Sequence, residues 1–482
     1  MASKHLPTRQ MPTRQLHLGP SMTGVLKIVD LPWAHNSENT RYESPFDILP
    51  DELLLAIVEF ATSRNRHLYS DCCFGCPNGR TALALTKVCR RLNRLATPLL
   101  YSHMNHYLPP ADGCESLRRS WSHHRQDCKH LRIDIENPGI LTKADWLVLN
   151  DYFRGYSRVR CLIIKGRFDI SIDETWQLVS DILTHMPTLE HLTIKKDYSS
   201  PPFPGSMLSS LMKHDTVSRL QALSLWNIRN AGSTETIENR DNMAALRDLR
   251  MYGFEKDGGA MERLIRWPKR LRSFTLGHSF YDDDQDYMDL TMLGSWLSVH
   301  IETLEEIDIG PLSPSGKGNI FDLTQYRELK SLGLSRYLFS DDLESCESDA
   351  NLILAPGLEE FYWYFALSNG FFREPWNAFG EREERWLQKL VDVAVSKSSP
   401  LKRICVIFKP DQGYATETWP WDHLVRLKEY CRQFGITLHY SRPPFDRGEW
   451  MKVVSANPSA NPRANDGRDI REYFTRLNLD HP

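Results

Sequence analysis

A single pattern, apolar-x-x-apolar-x-apolar, recurs ten times between Cys128 and Val406 and constrains this chain more than any other feature. It reads Cys128-Leu131-Ile133, Val159-Leu162-Ile164, Leu189-Leu192-Ile194, Leu220-Leu223-Leu225 and Leu246-Leu249-Met251. It continues as Leu271-Phe274-Leu276, Leu304-Ile307-Ile309, Leu329-Leu332-Leu334, Leu358-Phe361-Trp363 and Leu401-Ile404-Val406. Successive recurrences lie 25 to 33 residues apart, except for a last interval of 43. The final two apolar residues of each unit are two apart, so on a strand they point to one face, and their neighbours point to the other. Between the strands, Glu174 to Met186, Met207 to Met212, Met261 to Trp267, Tyr287 to Val299 and Trp386 to Val395 carry helical periodicity. A unit of one strand and one helix cannot bury its apolar face alone, and stacking the units in sequence does so. Strand-helix alternation also fits a large α/β domain with a parallel sheet, and the recurring spacing favours the solenoid.

These repeats resemble the divergent leucine-rich repeats of many fungal proteins, without the asparagine that regular repeats carry after the strand. Gly253, Gly277 and Gly310 follow three of the strands instead. The resemblance implies an irregular solenoid over residues 120–440; the 43-residue interval points to an insertion around Ser368 to Glu381, and Ile436 to Tyr440 reads as a strand that closes the array. The fold class expected is α/β. Alternation places His191, Trp226, Arg250, Tyr252, Asp308, Tyr362 and Tyr364 on the outward, concave side. Aromatic and arginine side chains on a rigid concavity are the types that dominate binding energy, so these seven are the expected target-binding residues.

A second informative stretch lies upstream, over residues 45–104. Leu53, Leu54, Ile57, Val58 and Ala61 follow Pro50 at helical spacing, and Leu83, Leu85, Val88, Leu92, Leu95 and Ala96 form a second apolar face flanked by Lys87, Arg90, Arg91 and Arg94. Pro98 is expected to end that helix. Leu49-Pro50, Glu52-Leu53-Leu54, Val88-Cys89-Arg90-Arg91 and Leu95 to Tyr101 together resemble an F-box in the form common among fungal F-box proteins. The departure is a long link at 63–80. What the resemblance implies is a small all-α module that docks on a Skp-type adaptor and, through it, on cullin and RING subunits. Leu49, Pro50, Leu53, Leu54, Ile57, Val88, Leu92, Leu95 and Leu100 would supply the adaptor-facing surface or the core of the module. The implied role is substrate recognition in an SCF-type E3 ubiquitin ligase, with an unknown target protein held by the repeats. The alternative is an F-box and repeat scaffold that directs no ubiquitination.

Other classes find little support in the residues. With 59 basic and 62 acidic residues the net charge is −3, so no global field draws nucleic acid or an anionic membrane. No stretch of ~18 apolar residues occurs, and the N-terminal residues lack the apolar run of a secretory signal. Ten scattered cysteines fit reduced thiols in the cytoplasm or nucleus. Cys73-x-x-Cys76, with Cys72 and His67 nearby, has the spacing of half a zinc knuckle, but the other half is not visible. Asp282, Asp284 and Asp286 alternate like a calcium loop, yet Tyr287 and Leu293 stand where that loop needs glycine and glutamate. Nucleophile elbows, zinc-protease helices and nucleotide fingerprints are missing, so no catalytic residue, cofactor or metal is expected, and the chain is read as a non-enzyme. Residues 1–44 and 441–482 have the composition of disordered segments.

Overall fold

The computed structural model describes residues 48–62, 78–108, 124–135, 143–166, 172–196, 205–226, 240–253, 258–277, 290–310, 320–340, 343–365, 379–408, 419–443 and 446–456. The chain divides into two compact units, Met1–Leu54 and Leu55–Pro482. Only Ile48 to Leu54 of the first is described. Its backbone begins helix α1 (Asp51–Thr62), whose first hydrogen bond runs from the Leu54 N–H to the Pro50 carbonyl at 3.0 Å.

In the second unit α1 is followed by α2 (Gly79–Thr86) and α3 (Arg90–Leu100). Asn78 caps α2, its Oδ1 accepting from the N–H groups of Arg80 and Thr81 at 3.2 and 3.4 Å. The second apolar stretch is therefore two helices rather than one, with the break at Val88 and Cys89. The Cys89 sulfur accepts the Leu92 N–H at 3.4 Å at the start of α3, and Asn93 Nδ2 donates to the Thr86 carbonyl at 2.7 Å across the break. Pro98 does not end α3. Its missing N–H frees one carbonyl only a turn from the end, and the helix runs on to Leu100, with the Tyr101 N–H still bonded to the Thr97 carbonyl at 3.2 Å.

From His103 onward the chain alternates strand and helix or turn. The strands are β1 (His103–Leu108), β2 (His130–Ile135), β3 (Cys161–Gly166), β4 (His191–Lys196), β5 (Ala222–Trp226), β6 (Asp248–Tyr252), β7 (Ser273–Leu276), β8 (Glu306–Ile309), β9 (Ser331–Ser335), β10 (Glu360–Tyr364), β11 (Arg403–Ile407) and β12 (Thr437–Tyr440). They form one twelve-stranded parallel sheet in strict chain order. Among the described strands the order never reverses, so they form no switch point of the kind at which a doubly wound sheet binds its ligand. Register is continuous: Leu131 pairs with Leu162, Leu162 with Leu192, Leu192 with Leu223, and so on to Ile404 with Leu438. At ten of the eleven steps, two consecutive N–H groups of the next unit share the carbonyl of the residue before the previous strand, or before the step's equivalent turn, at 2.7–3.1 Å. Lys129 and His130 on Ser102, and Lys402 and Arg403 on Glu359, are the first and last of these.

Helices α4 (Lys143–Phe153), α5 (Ile172–Thr184), α6 (Gly205–Lys213), α7 (Asp215–Ser218), α8 (Gly258–Arg266), α9 (Leu290–Leu297), α10 (Cys346–Ile353), α11 (Glu381–Ser396) and α12 (Pro420–Gln433) join the strands. Both strand residues of all ten sequence repeats are buried, as are the leucines that precede them at 189, 220, 246, 271, 304, 329, 358 and 401. Fully burying each such side chain is worth roughly 1.5–3 kcal/mol, and the resulting core is continuous from Met104 to Leu438. Leu54, Val58, Ala82, Leu92 and Ala96 are buried but do not belong to it; Tyr101, after α3, packs against it.

Two further features depart from the sequence expectation. β1 precedes the first repeat and puts Met104, His106 and Leu108 inward. His106 Nε2 meets the Tyr156 hydroxyl at 2.7 Å and the Tyr152 hydroxyl at 3.2 Å, and burial, with Arg125 adding to it, lowers the imidazole to about 4. The stretch from residue 441, expected to be mostly disordered, opens on helix α13 (Arg447–Ala456). Its Trp450 is fully buried, with ring centroids 5.8 and 6.2 Å from Trp419 and Trp421. Cys72, Cys73, Cys76, the Asp282 to Asp286 run and most of the insertion at Ser368 to Glu381 lie outside the described residues.

Candidate functional site

The sheet has an inner face filled by the core and an outer face made of the alternate residues. The seven outward residues expected from the sequence all lie on that outer face: Arg250 is exposed, and His191, Trp226, Tyr252, Asp308, Tyr362 and Tyr364 are half-buried. The continuous register brings them together in two groups.

The first group is a closed stack. Lys195, Trp226 and Tyr252 occupy successive positions of one row across β4, β5 and β6. The Lys195 ammonium lies 4.0 Å from the Trp226 ring centre, and Trp226 stacks on Tyr252 with centroids 3.9 Å apart. Trp226 Nε1 donates to Ser224 Oγ at 2.9 Å, which orients the indole. The Tyr252 ring extends over Gly277 of the next unit, where an added Cβ would come within 2.3 Å of it. Beside the stack, Arg250 binds Asp248 through two hydrogen bonds of 3.1 and 2.6 Å. His191 stands in a different row, paired with Ala222 of β5.

The second group spans β8 to β10. Tyr362 and Tyr364 lie nearly parallel, 13° apart, with centroids separated by 6.4 Å. Tyr362 donates its hydroxyl proton to Glu360 at 2.7 Å, and Tyr364 donates to Asp308 Oδ2 at 3.3 Å. The second bond passes over Gly333, where a Cβ would sit 2.8 Å from both Asp308 Oδ1 and a Tyr364 ring carbon. Burial pushes the Asp308 carboxyl up to about 6, against the opposing influence of the Tyr364 hydrogen bond and Arg250.

No protein-family model matches this chain, and no curated protein matches it in sequence.

The Asp308 shift makes a stability prediction. The folded carboxyl at about 6 lies above its ordinary value of 3.8, so the fold favours the protonated form. Ionisation therefore opposes folding fully above pH 6, progressively less as pH falls towards 4, and not at all below it. The displacement corresponds to about 3 kcal/mol at most. Asp308→Asn, which keeps an acceptor for Tyr364, is expected to stabilise the protein by about 1–3 kcal/mol at pH 7.5 and negligibly at pH 4. Thermal unfolding at the two pH values checks this, and an equal shift at both would refute it.

The helical region presents a different surface. Along α1, Leu53, Ile57 and Phe60 are 55%, 45% and 83% exposed and fall at the i, i+4, i+7 spacing of one helical face, whereas Leu54 and Val58 are buried. Val88 is exposed at the break before α3, Pro50 is exposed, Leu92 is buried, and Leu49, Leu95 and Leu100 are half-buried. The nine residues expected from the sequence thus separate into outward Pro50, Leu53, Ile57 and Val88 and inward or partly covered Leu49, Leu54, Leu92, Leu95 and Leu100. Sequence reasoning missed Phe60, Lys195, Glu306, Glu360 and Gly333. Their signal was the same alternation and helical spacing, extended by one further position.

Among the described residues no group of three or more His, Cys, Asp or Glu is placed to hold a metal ion, and no helix is long and apolar enough to cross a membrane.

Proposed function

We propose that this chain is an F-box protein whose strand-helix units are divergent leucine-rich repeats, and that it serves as a substrate-recognition subunit of an SCF-type ubiquitin ligase. The observation that carries the reading is the apolar face of α1, where Leu53 and Ile57 stand in solvent in the segment that resembles an F-box. Exposed apolar side chains at regular helical spacing gain free energy only when a partner covers them. A Skp-type adaptor is the partner that the resemblance implies. The chain-ordered parallel sheet and its repeated carbonyl sharing support the solenoid reading, because each unit then contacts only its neighbours and offers one long rigid face. In this role the chain catalyses nothing. It holds a target near a ubiquitin-carrying enzyme and raises the effective concentration of the reacting groups.

The test is co-purification of a Skp-type adaptor with the full chain and with a Leu53→Asp, Ile57→Asp variant. Both positions are exposed, so the variant is expected to keep its circular dichroism and melting temperature while losing adaptor retention at least tenfold, the cost of desolvating two carboxylates in an apolar contact. A folded wild-type chain that retains no adaptor would overturn the reading. Adaptor retention without cullin-dependent ubiquitination of any bound protein would instead support the scaffold.

A further inference from the structure

The outer face of the sheet is segregated by charge. On β2 to β4 it carries Arg132, Lys165 and Lys195, with Asp134 held by Arg132 at 3.0 and 3.1 Å. From β6 to β10 it carries Asp248, Glu306, Asp308 and Glu360. The cations beside these acids bond to two of them, Arg250 to Asp248 and Arg403 of β11 to Glu360, and Arg250 also acts on the Asp308 carboxyl through space. Among the described residues neither Glu306 nor Asp308 makes an ion pair; Glu306 accepts only the Ser273 hydroxyl, at 3.3 Å, and Asp308 only the Tyr364 hydroxyl. Two carboxylates on one short strand therefore lie beside two parallel phenol rings, over a floor kept low by Gly333.

We propose that the face over β8 to β10 receives an arginine side chain of the protein this chain recognises, its guanidinium against Tyr362 and Tyr364 and its N–H groups on Asp308 and Glu306. The inference rests on the target-binding reading of the sheet. A guanidinium fits for three reasons. It is planar and stacks on an aromatic face; it has five donors in a fixed fork, enough to bridge two carboxylates; and it sheds water more readily than an ammonium. The tethered hydroxyls hold both rings before the partner arrives, so little side-chain freedom is lost on binding. The closed stack at Trp226 and Tyr252 differs in kind, since its cation, Lys195, is already in place.

The experiment measures binding of fluorescein-labelled hexa-arginine and hexa-lysine peptides to the full chain by fluorescence polarisation at low salt. Equal charge on the two probes cancels non-specific attraction. The arginine peptide is expected to bind at least about fivefold more tightly. Glu306→Gln with Asp308→Asn is expected to weaken it about tenfold or more, and Tyr362→Leu to remove most of its preference over lysine. Lys165→Gln, at the basic end, should leave it within about twofold. Equal affinity for the two peptides, no binding, or an unchanged affinity in the Glu306, Asp308 double variant would overturn the proposal. The comparison of two probes on the wild-type chain needs no variant to fold. Adaptor co-purification is scored in parallel. Arginine selectivity in a chain that retains no adaptor sinks the ligase reading alone, and adaptor retention without selectivity sinks the arginine site alone.

Discussion

Arg336→Met is expected to destabilise the protein by about 3–5 kcal/mol, because it strands a carboxylate in the interior. Arg336 follows β9 and is 1% exposed at its side chain; Glu383, in the first turn of α11, is 7% exposed. The guanidinium gives Nε and Nη2 to Glu383 Oε1 at 3.2 and 3.1 Å and Nη1 to the Ser340 carbonyl at 3.0 Å. Glu383 Oε2 accepts the Gly380 N–H at 3.0 Å, capping α11. Methionine fills similar volume but offers Glu383 no donor. The pair itself is not a large net stabiliser, since desolvation offsets most of its attraction. The double variant Arg336→Met, Glu383→Gln, which removes the charge and keeps an acceptor for Gly380, is therefore expected to recover part of the loss. Urea unfolding followed by tryptophan fluorescence measures both. A single variant within 1 kcal/mol of wild type, on the scale of an ordinary surface substitution, would show that the site rehydrates rather than staying closed.

Trp386→Ala is expected to cost a similar amount, about 3–5 kcal/mol, through a cavity and a lost donor. The indole lies on the buried face of α11, with centroids 4.8, 4.7 and 6.0 Å from Phe339, Trp363 and Phe361, so it ties α11 to the strands beneath. Its Nε1 donates to Asp349 Oδ2 at 3.5 Å, and burial raises that carboxyl despite the bonds from Ser345 and Trp386. Trp386→Phe keeps most of the packing and loses only the donor. It should fall between wild type and alanine, by about 1–2 kcal/mol. Equal losses in the two variants would assign the whole effect to the hydrogen bond, and none in the phenylalanine variant would assign it to packing.

These two sites and the outer face differ in how they stood in the sequence. The outer face was legible because strand geometry converts a period of two into two faces. Once Leu223 and Leu225 are inward, Trp226 must be outward, and the same holds for Tyr362 and Tyr364 beside Phe361 and Trp363. What the alternation did not carry was the separation between neighbours. Trp226 and Tyr252 are 26 residues apart and touch, while Tyr362 and Tyr364 are two apart and leave their ring centres 6.4 Å from one another. Strand geometry decides this, because paired residues on adjacent strands lie about 4.8 Å apart and residues two apart on one strand about 6.6 Å; Gly277 and Gly333 supply the space into which Tyr252 and Tyr364 lean.

By itself the sequence determined the strand-helix alternation and the inward residues of ten strands, since each follows from a local period of hydrophobicity. β1 escaped because polar His106 stands at an inward position, and only Tyr152 and Tyr156, some fifty residues on, make that burial tolerable. α13 escaped because its polar, proline-flanked composition outweighed Trp450, whose partners Trp419 and Trp421 arrive from another helix end. Glu383 and Glu384 show the limit most directly. They are adjacent and chemically alike, yet one closes on Arg336 and the other on Arg426 at 3.1 and 2.7 Å and on His423 at 2.6 Å. Burial works to raise the Glu384 carboxyl, and those hydrogen bonds outweigh it and hold the group below its usual range. Pairing of this kind depends on distances between elements that no local period encodes, so only the tertiary structure decided it.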